Sequence, residues 1–221
     1  MAQIALGNSY IPDQFLQKVV QRTDNIARVL RQINADISAG PYGSATSNAG
    51  GQTIRFTLER EHFVALDNLR FSFTAKSSAN TAAFINGIEP IIKKVSLIVN
   101  GNLATSQDYS GHFHHVYNCM TKSKSFKDTV GTLMMGYRAV DAPWAAGNGV
   151  ISAAGINFAL PLGFDGSALC QDSLLPTFLL GKVQIEIILE SDACKILETG
   201  AAYANEFYTI LNPRLEFDMN F

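Results

Sequence analysis

Four residues in one short stretch, His112, His114, His115 and Cys119, are of the types that hold metal ions. Imidazole nitrogens and a thiolate are zinc ligands, and on a helix residues four apart share a face. His115 and Cys119 have that spacing, and His112 precedes His115 by one turn, so His112, His115 and Cys119 are the candidate metal ligands. A structural zinc takes four ligands of fixed geometry, and the sequence supplies neither a second ligand pair nor an H-E-x-x-H run. The same residues also read as a polar, partly buried turn packed by Phe113 and Tyr117, and on that reading no metal and no cofactor is expected.

Other catalytic signatures fail. No G-x-S-x-G elbow and no phosphate-binding loop occurs, and Gly147 and Gly149 lack the rest of a dinucleotide fingerprint. Glu59 and Glu61, and Glu186 and Glu190, are the carboxylates whose pairing would suit glycoside hydrolysis. Carboxylates on strand faces more commonly sit in water or in ion pairs. Lys93 and Lys94, and Lys122, Lys124 and Lys127, form two small basic clusters, read as solvated faces or as contacts to phosphate or an acidic neighbour. The expectation is a protein that is not an enzyme.

The elements that would position these residues follow from apolar periodicity. Phe15, Val19, Ile26, Leu30, Ile33 and Ile37 recur near the helical period, so residues 11–38 are expected to form a helix, with a break near Thr23 and Asp24. Residues 1–38 are then a helical arm and 39–52, rich in Gly, Ser, Ala and Asn, a flexible linker. From residue 53 the period becomes two. Ile54, Phe56 and Leu58 alternate with polar residues, as do Leu69, Phe71 and Phe73, then Val95, Leu97 and Val99. Asn100-Gly101 marks a hairpin, with Leu103 opening the return strand. Residues 108–136 read as two short helices, and 141–157 as a long loop holding Trp144. Strands resume at INFALPL, at Val183–Ile187 and at Leu215–Phe221. Seven to nine strands without β–α–β alternation predict an all-β fold: a jelly-roll antiparallel β-sandwich at 53–221, with an N-terminal helix and helical insertions.

Composition points to what such a sandwich does. Of 221 residues 47% are hydrophobic and only 16% charged, against about 25% in ordinary soluble domains. A thin charged coat over ample apolar material predicts an interface between subunits. Net charge is −2, from 17 basic and 19 acidic residues, which implies no direct or sequence-specific nucleic-acid binding. Cys119, Cys170 and Cys194 are odd in number and widely spaced, which suits a reducing compartment rather than a disulfide framework. No signal peptide and no membrane-spanning apolar run is expected.

Three segments carry a resemblance: EPIIKKVSLIVNGNLATSQDYSGHFHHVYNCM at 89–120, INFALPLGF and LLPTFLLGKVQIEIILE within 156–190, and YTILNPRLEFDMNF at 208–221. Their order resembles the jelly-roll coat proteins of tailless icosahedral DNA viruses, the double jelly-roll major-capsid lineage. The resemblance implies a structural capsid protein of the virion, assembled inside the host cell as a homotrimer or homopentamer with other capsid proteins. It implies that residues 108–150 meet neighbours or decorate the surface. It also implies that the N-terminal arm lies beneath the shell, in reach of an inner membrane, and can be removed without unfolding the sandwich. A double roll needs two sandwiches and this length supplies about one, so a single-roll relative, a vertex protein or the first roll of a longer chain are all open, the last suggested by the stop at Phe221 in mid-alternation. The alternative is a β-sandwich binding module, lectin-like or receptor-binding.

Overall fold

The computed structural model describes residues 28–36, 40–43, 51–60, 63–77, 83–84, 87–131, 135, 155–162, 174–191, 197–198 and 208–220. Among these residues eleven strands occur: β1 (Arg28–Asn34), β2 (Thr53–Leu58), β3 (Phe63–Ser77), β4 (Ala83–Phe84), β5 (Ile92–Val99), β6 (Asn102–Asp108), β7 (Ile156–Pro161), β8 (Leu174–Pro176), β9 (Val183–Leu189), β10 (Leu197–Glu198) and β11 (Tyr208–Asn220). The longest helix among the described residues is α1 (Ser110–Thr121). A helical turn at Lys124–Phe126 widens into a π turn at Lys127–Gly131, and a one-turn helix spans Thr177–Leu180.

One sheet runs β1-β11-β3-β7, with β8 also on β3; the other runs β2-β9-β5-β6, and β4 and β10 form a separate ribbon. All pairings are antiparallel, and four of them nest: β1 with β11, β2 with β9, β3 with β7, β5 with β6. A chain folded once into a long hairpin and then rolled gives this nesting, and closing the roll adds β3 on β11 and β5 on β9. Eight strands so wound into two four-stranded sheets are a jelly roll.

The core lies between the two sheets. Ile54, Phe56 and Leu58 of β2, and Val183, Ile185, Ile187 and Leu189 of β9, are buried on one side. Phe71, Phe73 and Ala75 of β3 and Leu215, Phe217 and Met219 of β11 face them. Each set is one face of a strand whose alternate residues lie on the opposite face, which is why period two in the sequence read correctly here. The Asn100-Gly101 hairpin forms as expected, with both residues at positive φ, +52° and +82°.

Two expectations are corrected. Residues 28–34, the latter part of the expected helix, are strand β1, paired along its whole length with β11 from Arg28↔Asn220 to Asn34↔Arg214. Val29, Arg31 and Ile33 alternate as well as Val29 and Ile33 fit a helix, and the open edge of β11 decides for the strand. The rest of the expected helix up to residue 27 lies outside the described residues. The described part of 39–52 is tied down: Tyr42 is buried and exchanges backbone hydrogen bonds of 2.8 and 2.9 Å with Ile210.

Connections between consecutive strands of a jelly roll alternate between its two ends. The strand ends Asn34, Ser77, Asp108 and Leu189 and the strand starts Thr53, Ile92, Ile156 and Tyr208 lie at one end. Leu58, Val99 and Pro161 end, and Phe63, Asn102 and Val183 begin, at the other, beside the start of β1. The candidate metal ligands belong to the first end and the Asn100 hairpin to the second.

Candidate functional site

Helix α1 follows directly on β6 and is the longest helix among the described residues. Tyr109, at φ +55°, turns the chain out of β6 and into the helix. Gly111 then lies against the Glu89–Ile91 turn so closely that a Cβ there would stand 1.8 Å from the Glu89 carbonyl oxygen. Only glycine permits that approach.

The helix is amphipathic in an inverted sense, with polar side chains inward and apolar ones outward. Ser110, His114 and Asn118, each one turn apart, are buried, while Phe113, Val116 and Met120 are 58, 53 and 81% exposed. The buried stripe faces Glu89, itself fully buried. The Asn118 amide donates to Glu89 Oε1 at 3.4 Å, and His115 Nδ1 lies 3.5 Å from Glu89 Oε2. A carboxylate out of water needs such partners to remain there. Burial holds the His114 imidazole below its ordinary pKa; the Glu89 carboxylate opposes this, while Lys122 and His115 add to it.

Of the candidate metal ligands, the fold brings His115 and Cys119 together, Nε2 to Sγ at 3.5 Å. His112 is set against the Tyr109 ring instead, centroid to centroid 6.1 Å. No three His, Cys, Asp or Glu side chains gather in metal-binding geometry among the described residues. Burial, helped by Glu89 and opposed by Lys127, pushes the Cys119 thiol pKa up, away from the thiolate a metal or electrophile would need. Glu89 and Asn118 complete the cluster and were not singled out by type; the signal for Glu89 was its place before Pro90 at the start of an apolar run.

The carboxylates flagged for catalysis are occupied separately. Glu59 pairs with Arg31 at 3.0 Å and Glu186 with Arg55 at 2.9 Å. Glu190 is buried, and its Oε1 accepts from the Ser191 backbone amide at 2.9 Å. Lys94 pairs with Asp108 at 3.2 Å, and Lys122 lies over the Phe126 ring. Glu61, Trp144, Cys170 and Cys194 lie outside the described residues.

A second set of exposed apolar side chains lies at the opposite end. Phe63 and Phe178 meet edge to face with centroids 5.0 Å apart, and Leu179 is 73% exposed beside them. A depression of ≈ 430 Å³ on the outer face of the β1-β11-β3-β7 sheet is lined by Ser72, Thr74, Asn157, Arg214 and Glu216 among others. No helix among the described residues is long and apolar enough to cross a membrane.

No protein-family model matches the chain, and no curated protein matches it in sequence. Solved structures match it in fold. A quasi-atomic model of the PBCV-1 virus capsid superposes with a TM-score of 0.50 and 12% identity, over 87% of this chain and 42% of that one. The major capsid protein of mavirus gives a TM-score of 0.48 at 11% identity, over 87% of this chain and 46% of that one. The STIV major capsid protein gives 0.44 at 13%, over 89% of this chain and 48% of that one. The chain therefore spans less than half the length of each. The jelly roll expected from the sequence is shown, and it is the fold of viral capsid proteins.

Proposed function

We propose that this chain is a structural capsid subunit that associates with copies of itself, and with other capsid proteins, to build the icosahedral shell of a virion. The observation that carries the reading is the inverted helix α1, whose polar stripe is buried on Glu89 while Phe113, Val116 and Met120 face outward. Apolar side chains aligned on a rigid support are what a subunit interface requires. The jelly-roll likeness to the PBCV-1 capsid supports it by analogy of fold, which alone does not fix function.

On this reading the sandwich is the rigid block and the end that carries α1 meets neighbours. The region 108–150, with α1 at its start, is the contact; cyclic symmetry joins subunits head to tail into a trimer or pentamer. Because the chain covers 42% of the PBCV-1 capsid chain, a second roll, from another copy or from a longer polypeptide, completes the block. Nothing in the arrangement at α1 requires a catalytic step.

The polar depression over Ser72, Thr74, Asn157 and Arg214 favours the second reading, a binding module for a small polar ligand such as a sugar. Light scattering on size-exclusion-purified protein across a concentration series decides between them. A trimer, a pentamer or a larger particle supports the capsid reading, and Met120→Asp should then lower the mass. A monomer at every concentration counts against it and for the binding module.

A further inference from the structure

The depression on the outer face of the β1-β11-β3-β7 sheet is built on two rungs of the ladder. Arg214, Ser72 and Ala159 are register partners on one, and Leu211, Thr74 and Asn157 on the other. Phe71, Phe73 and Leu215 alternate with these residues and are buried in the core, so both rungs face outward. Between the rungs β11 runs one residue longer than β3, a bulge that holds Asn212 at φ +49°. Such a bulge bends the strand and re-aims the side chains beside it, and here Asn212 and Arg214 both line the depression.

The lining is rich in unused donors. Thr74 Oγ1 donates to Asn157 Oδ1 at 2.6 Å, which sets the Asn157 amide so that its Nδ2 hydrogens are left to donate. Arg214 is exposed and makes no ion pair among the described residues. Glu216, next on the same face of β11, accepts from Gln32 Nε2 at 2.7 Å instead. Ser72 Oγ is shut away from solvent with no hydrogen-bond partner among those residues. A hydroxyl in that state is costly until a partner completes it.

We propose that the depression binds a small polyol carrying one carboxylate, of which an acidic sugar is the simplest example. The Arg214 guanidinium takes the carboxylate through two parallel N–H bonds, and Asn157, Asn212 and Ser72 take the hydroxyls. Charge selects this class. Arg214 is the one cation among the described lining residues, and Glu216 lies beside it. A neutral sugar leaves the guanidinium unmatched, and a phosphate dianion outweighs one cation and meets the Glu216 carboxylate. The volume of ≈ 430 Å³ falls within the range of small-molecule sites, about 300–1,000 Å³. This ligand class deepens the binding reading given above, on which it rests for the occupancy of the depression, and it holds whether or not the chain assembles.

Ligand-observed NMR titration of the full chain with glucuronate, glucose and inorganic phosphate tests it. The two sugars differ only in carrying a carboxylate or a hydroxymethyl group. Glucuronate should bind with a Kd of about 1 mM, about tenfold tighter than glucose or phosphate. Arg214→Gln should weaken glucuronate to the level of glucose, and Arg214→Lys, which keeps the charge and loses the fork, should fall between. The Arg214 side chain is exposed, so an unchanged urea midpoint identifies both variants as folded. Glucose bound as tightly as glucuronate overturns the carboxylate assignment and leaves the binding reading standing. Phosphate bound as tightly as glucuronate overturns it too, in favour of a general anion site. Undiminished glucuronate binding by Arg214→Gln places the ligand elsewhere and overturns it as well. If neither sugar binds at about tenfold above the expected Kd, this inference and the binding reading fall together.

Discussion

Phe56 of β2 and Phe71 of β3 meet edge to face across the sandwich, ring centroids 6.1 Å apart and planes at 70°. Both are fully buried, and they belong to different sheets, so this contact is one of the points at which the two layers are joined. Phe56→Ala removes the ring and leaves a cavity that strands pinned by their ladders cannot close. The expected cost is about 3–5 kcal/mol, read as a lower urea midpoint with an unchanged slope. A loss below about 1 kcal/mol would mean that the sheets are held chiefly elsewhere.

Gly111 tests how rigidly α1 is seated. An added Cβ would meet the Glu89 carbonyl oxygen at 1.8 Å and the Ile92 carbonyl oxygen at 2.7 Å, and both are backbone atoms that cannot rotate away. Gly111→Ala should therefore lift the start of the helix and cost about 3 kcal/mol or more, at the upper end of overpacking effects. Met120→Ala, 81% exposed on the same helix, should change monomer stability by less than about 0.5 kcal/mol. Equal effects at the two sites would contradict the inverted packing.

His114 makes stability depend on pH. Its burial beneath α1 holds its pKa below the ordinary value against the pull of Glu89, so the unfolded chain takes up a proton more readily than the folded one. The stabilising contribution is thus complete above the ordinary histidine pKa of about 6.5 and is lost as pH falls through the folded value. Unfolding free energy should drop between pH 7.5 and pH 5, by no more than about 1.4 kcal/mol per unit for this group. His114→Gln should flatten that slope. Identical slopes in the two proteins would show that other groups carry the acid sensitivity.

What was legible in the sequence follows the range of the interactions that decide each element. β2, β9 and the end of β11 were readable because Ile54–Leu58, Val183–Ile187 and Leu215–Met219 alternate strictly, and one buried face is enough to fix a strand. Asn100-Gly101 was readable because its turn chemistry is local. β1 was not: its residues satisfy both periods, and its conformation is settled by β11, nearly two hundred residues away in the chain. Removing everything up to residue 40 would accordingly strip an edge strand from the sheet, not detach an arm. Tyr42 was hidden for the same reason, its partner being Ile210. At α1 the histidines and Cys119 stood out by type, but the group that organises them, Glu89, lies on another element, and spacing along one helix cannot reveal it. The apolar face of α1 was misleading in a useful way: Phe113 and Tyr117 suggested packing around the histidines, whereas the structure turns Phe113 outward.

The Asn100 side chain clamps the hairpin to the segment that carries the second apolar patch. Its Nδ2 donates to the Leu180 carbonyl at 2.8 Å, and its Oδ1 accepts from the Lys182 amide at 2.9 Å. Asn100 also sits at φ +52°, where most L-residues are strained. Asn100→Ala loses both bonds and meets that strain, so about 1–3 kcal/mol is expected. Gly181 is held by the same clamp: at φ +78°, a Cβ there would stand 2.4 Å from Asn100 Oδ1. Gly181→Ala should push that amide out of place and break the same two hydrogen bonds. The double variant should then cost clearly less than the sum of the singles, because the clamp can be lost only once. Additive losses in urea unfolding would mean that each residue acts through its own backbone strain. In that case Thr177–Leu180, with Phe178 and Leu179, is positioned by its packing on β3 and not by the hairpin.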